Sequence, residues 1–135
     1  MRTSAIRFEA RLHTPPDDVN VVHEILERVW AAVPEITPGD RLRFETALIE
    51  LSGNVFEHTC EEQGTECLLE VSVEPDALAA VVLDRGAEPA VSLERQMPED
   101  LAESGRGIAL IRALTDELSY ERDGDWNRWR IVRHL

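Results

Sequence analysis

FETALIELSGNVFEHT, residues 44 to 59, decides how the chain is read. Phe44, Leu48, Leu51 and Val55 recur at steps of three and four, which puts their side chains on one face of an α-helix, and a helical segment is predicted over about residues 41–60. At about 100° per residue, Glu50, Asn54 and His58 form a second stripe, roughly 80° round from the first. A polar stripe on that shoulder either faces water or forms one wall of a cleft. Gly53 inside the helix gives up about 1 kcal/mol of propensity against alanine, which calls for something packed close to the backbone there.

Outward from this helix, the periods alternate between 2 and 3.6. IRFEARL, residues 6 to 12, reads as an opening strand. After HTPPDD, Val22, Ile25, Leu26, Val29 and Val33 mark a first helix from Val19 onward, and PEITPGD, residues 34 to 40, reads as the connection to the next. CLLEVSVEP gives a strand with Leu69, Val71 and Val73 on one side. The unbroken apolar run from Leu78 to Leu83 then predicts a central strand buried on both faces and ending at Asp84. Residues 85–104 carry Gly86, Pro89 and Pro98 without a period, a length that suits a working lid. A third helix is predicted from Gly105 or Arg106, with Ile108, Ile111, Leu114 and Leu118 inward, followed by a hairpin turning at Asp123 and Gly124. Trp126 and Trp129 in that hairpin suit either an interface or the core. Helices gathered on one face of a mixed β-sheet make a two-layer α/β sandwich, expected as a single domain over residues 1–135.

Composition bounds the function. Fourteen Lys and Arg against 27 Asp and Glu leave a formal charge of -13, which repels nucleic-acid phosphate and argues against direct nucleic-acid binding. No apolar run reaches the ~18 residues of a membrane helix, and no signal-peptide core is visible at the N-terminus. Cys60 and Cys67 lack metal-ligand spacing and suit a reducing compartment, so a cytoplasmic protein without membrane contact is expected.

Three clusters carry candidate chemistry. Asp84, at the end of a buried strand and followed by Arg85-Gly86, is either a turn residue or an acceptor for a ligand amine. Ser104-Gly105-Arg106-Gly107 opens a helix with free amides and a cation, which suits either a phosphate or a tight helix start. It has neither the Walker nor the Rossmann pattern. With Glu50 and Asn54 these suit the parts of one site, in which Asp84 could read a base, the glycine turn hold phosphates, Asn54 complete a magnesium ion and Glu50 act as general base.

The three clusters, in this order, resemble the serine-kinase anti-sigma factors, within the ATPase superfamily of histidine kinases, gyrase, Hsp90 and MutL proteins. FETALIELSGNVFEHT is similar to the N-box, LDRGAEP to the adenine box, and SGRGIALIRALTDELSY to the second glycine box. The resemblance implies Glu50 as catalytic base, Asn54 as magnesium ligand, and His58 near the phosphates. It implies Asp84 and Gly86 as the adenine site, and Gly105, Arg106 and Gly107 at the phosphates and lid hinge. It further implies ATP and Mg2+ as cofactors, a sigma factor and a small anti-sigma factor antagonist as partners, and a homodimer. The activity it implies is phosphorylation of the antagonist's serine. The chain departs from the kinases at Glu88, where a second glycine is common. Two other classes stay open: a partner-sequestering module without catalysis, and a structural domain whose boxes are remnants.

Overall fold

The computed structural model describes residues 5–58, 64–86 and 107–135, the side chain of His58 excepted. In chain order the elements are β1 (Ile6–Thr14), α1 (Val19–Ala32), α2 (Pro38–His58), β2 (Thr65–Glu74), β3 (Ala77–Asp84), α3 (Gly107–Leu114), β4 (Glu117–Asp123) and β5 (Trp126–His134). The sheet order is β1-β2-β3-β5-β4, and all four ladders run antiparallel, a finer description than the mixed sheet expected. The helices cover one face, giving the two-layer α/β sandwich.

Local chemistry starts the helices. Asp18 caps α1, its carboxylate accepting from the Asn20 amide at 2.9 Å. Helix α2 begins at Pro38, three residues before its predicted start, because TPGD is a helix start and not the end of a linker. The Thr37 hydroxyl accepts from the Asp40 amide at 3.2 Å and donates to the Asp40 carboxylate at 3.0 Å, while Pro38 takes the first helical position, where no N–H is needed. Arg41 then reaches back to the carbonyls of Ile36 and Pro34, fixing the connection against the helix.

Phe44, Leu48, Leu51 and Val55 all have 0% exposure, so the apolar stripe lies as predicted, and its burial contributes on the order of 6–12 kcal/mol. Trp30 meets Phe44 edge-on and donates its indole N–H to Glu45 at 2.9 Å, locking α1 to α2.

Register fixes which strand residues face the helices. Leu12, Cys67, Val82, Trp129 and Ile131 point into the core. Alternation sends Arg11, Glu70, Arg128 and Arg130 to the other face. On that face Ala77 and Ala79 are buried beside Val132 while Val81 and Leu83 are only half-buried, so β3 is buried on both faces as predicted along its first half but not at its end. Leu118 lies in β4 opposite Ile131, not in the third helix. The Thr115 hydroxyl donates to the Ile111 carbonyl and Arg133 donates to that of Leu114, ending α3 there. The hairpin turn falls at Gly124, whose φ of +60° suits glycine.

Candidate functional site

Helix α2 supplies one wall of the site. Glu50 is half-buried and lines an open groove of about 410 Å³ with Val19 and His23 of α1 and Glu45, Thr46, Ile49 and Gly53 of its own helix. The predicted close approach at Gly53 is not found: a Cβ there would meet Val19 Cγ1 at 3.7 Å, an ordinary contact. One turn beyond Glu50, Asn54 is only 6% exposed, and among the described residues its Nδ2 has no hydrogen-bond partner. The Ser52 hydroxyl, on the same stretch, is buried and likewise unpartnered. An unsatisfied buried amide costs about 1–3 kcal/mol, so a residue kept in that state asks for a reason beyond packing.

The end of β3 carries the second group of candidate residues, none of which lines the groove beside Glu50. Asp84 alternates with Leu78, Ala80 and Val82, so its carboxylate points into the layer between sheet and helices, the layer in which Asn54 is buried. It has 0% exposure. Among the described residues three donors hold it: Oδ1 accepts from the Gly86 amide at 2.8 Å and Asn127 Nδ2 at 2.9 Å, and Oδ2 accepts from Trp129 Nε1 at 3.2 Å. Asn127 Oδ1 in turn accepts from the Tyr120 hydroxyl at 2.6 Å and Arg122 Nη1 at 3.1 Å. Arg122 also donates to the Gly86 carbonyl at 2.8 Å, and Tyr120 packs on Trp129 with ring centroids 4.4 Å apart. The turn after β3 is thus tied to the terminal hairpin through the Asp84 carboxylate and the Gly86 carbonyl.

Glu50, Asn54, Asp84 and Gly86 therefore all sit on the helix side of the sheet or on its covering helix, with α2 packed against both β3 and α3. Gly86 is buried and its φ is not in the left-handed region. Gly107 is buried as the first residue of α3. Gly105 and Arg106, residues 87–104 of the lid expected over 85–104, Glu88 among them, and the side chain of His58 lie outside the described residues. Asn127, Trp129, Tyr120 and Arg122 were not singled out as site residues from the sequence. Their alternation in ERDGDWNRWRI gives the hairpin, but only the pairing of β5 beside β3 places Asn127 opposite Asp84.

Among the described residues no cluster of three His, Cys, Asp or Glu could hold a metal by itself. A single amide oxygen suits an ion held mainly by a ligand's phosphate oxygens, but the Asn54 atom without a partner among the described residues is Nδ2, a donor, which suits a phosphate oxygen and not the ion itself. Asp84 Oδ2 accepts only from Trp129 among the described residues, so it is the carboxylate oxygen that a ligand amine would have to share.

The chain matches the model of the histidine kinase-like ATPase domain over residues 12–132 and belongs to that family, whose domains generally bind ATP with Mg2+. A comparison with curated proteins gave no match. Among the described residues no helix is long and apolar enough to cross a membrane.

Proposed function

We propose that this ATPase domain is an ATP-dependent protein-serine kinase that acts as an anti-sigma factor, phosphorylating a small anti-sigma factor antagonist. The observation that carries the reading is Asn54: a buried amide whose Nδ2 donor has no partner among the described residues and so suits an anionic acceptor such as a phosphate oxygen, one helical turn from a carboxylate that lines an open groove. When bound, Mg-ATP supplies the phosphoryl group and the cation that spreads its charge. Asn54 Nδ2 would donate to a phosphate oxygen, and its amide oxygen would complete the coordination of the cation. Glu50 faces the groove and accepts the proton of an incoming serine hydroxyl. Asp84 accepts from the amine of the base, and Gly86 keeps the Asp84 side chain turned. Gly105, Arg106 and Gly107 serve the phosphates, with His58 beside them. The resemblance to anti-sigma kinases supports a sigma factor as the sequestered partner, a homodimer, and a cytoplasmic setting.

One observation favours a second reading, partner sequestration without catalysis. Asp84 has no exposed surface and already holds three donors. Glu50→Ala separates the two. Each protein is incubated with radiolabelled Mg-ATP and a panel of small serine-bearing antagonists. The kinase reading expects label on a serine with the wild type and at least a hundredfold less with the variant, at unchanged circular dichroism. Sigma-factor inhibition that persists in the variant with no labelling by either protein establishes sequestration.

A further inference from the structure

The contact between Trp129 and Asp84 crosses the ladder between β3 and β5 and joins a buried indole to the candidate base reader. Trp129 is fully buried and stacked on Tyr120, so its ring has a packing role whichever way its N–H points, yet that N–H is aimed at Asp84 Oδ2 at 3.2 Å. The other oxygen is already saturated by the Gly86 amide and Asn127. An indole is a flat bicycle presenting one N–H to a carboxylate, which is how the exocyclic amine of a purine would present itself to the same oxygen.

We propose that Trp129 is a specificity-determining residue that competes with a purine's exocyclic amine for Asp84 Oδ2. This rests on Asp84 being the base reader of the proposed ATP site. Two donors on one oxygen share its charge, so the indole weakens the bond through which the amine is recognised. Oδ1 offers no alternative, because Asn127 is itself held by Tyr120 and Arg122 and the Gly86 amide is fixed by its own turn. The wild type is therefore a poor discriminator between purines with and without a 6-amino group. Removing the indole N–H while keeping an aromatic ring on Tyr120 restores the carboxylate's full strength to the ligand.

The test measures binding of ATP and of inosine triphosphate, each with magnesium, to the wild type and Trp129→Phe. The expected result is less than about threefold preference for ATP in the wild type and about tenfold or more in the variant, the worth of one hydrogen bond to a charged acceptor. A second measurement uses the wild type alone, in case the variant does not fold. The indole N–H resonances are assigned through Trp30→Phe and Trp126→Phe, and that of Trp129 is expected to move further with ATP than with inosine triphosphate. Equal preference in both proteins, or a Trp129 resonance that stays still while ATP binds, overturns the inference and leaves the ATP site standing. Absence of ATP binding by both folded proteins overturns the site reading itself. Binding gained only in the variant supports the competition in its strongest form.

Discussion

Replacing Asp84 with asparagine tests whether the buried network is what holds the sheet's C-terminal hairpin to the turn after β3. The aspartate accepts three hydrogen bonds, from the Gly86 amide, Asn127 and Trp129, with 0% exposure. An asparagine has a single acceptor oxygen. Its least costly orientation keeps that oxygen toward Gly86 and Asn127 and turns an NH2 toward the Trp129 N–H, so donor faces donor. Orphaning the indole costs about 1–3 kcal/mol, and the two remaining bonds each lose about 0.5–1 kcal/mol with the charge. Removing a buried charge also removes its desolvation cost, but a carboxylate met by three donors is largely compensated, so the sign stays destabilising. The sum is about 2–5 kcal/mol. For a urea slope of about 2 kcal/mol/M the midpoint should fall by roughly 1–2.5 M, leaving a protein still folded in buffer. Urea titration followed by circular dichroism measures it. A shift worth less than about 0.5 kcal/mol would refute the reasoning, because the three bonds could not then be contributing. Combined with Trp129→Phe, the two changes should fall short of additivity by about 1 kcal/mol, since both remove one bond.

Two further substitutions probe how the walls of the site are supported. Gly53→Ala should stabilise the fold by up to about 1 kcal/mol, because the new Cβ meets only Val19 Cγ1 at 3.7 Å; a lower denaturation midpoint would contradict this. Arg133→Met removes a 2.9 Å bond to Asp40, at 20% and 25% side-chain exposure, and a 3.0 Å bond to the Leu114 carbonyl that ends α3. It should cost about 1.5–3 kcal/mol in thermal unfolding, and an unchanged melting temperature would count against that cap.

Much of the layer order was legible because it rests on local period. Phe44, Leu48, Leu51 and Val55 announced both a helix and its buried face, and the alternation of Leu69, Val71 and Val73 announced a half-covered strand. Boundaries were less legible where two rules competed. Pro38-Gly39 resembles a linker until Thr37 and Asp40 are seen to cap one another, and Leu118 fits the helix period as well as the strand. Of the candidate site, Glu50 and Asn54 could be placed together because one helix sets their distance. The partners of Asp84 could not, since Asn127 and Trp129 lie 43 and 45 residues away and reach it only through the ladder between β3 and β5. Long-range register of this kind leaves no trace in either strand's own pattern.

The central claim is that Asn54, buried on α2 with its Nδ2 donor unpartnered among the described residues, belongs to a magnesium-nucleotide site. Calorimetric titration of ATP, with and without magnesium, into the wild type and Asn54→Ala tests it most directly. The expected result is magnesium-dependent binding by the wild type that falls at least tenfold in the variant, with both proteins equally folded. Binding that ignores magnesium, or that is equal in the two proteins, would contradict the claim.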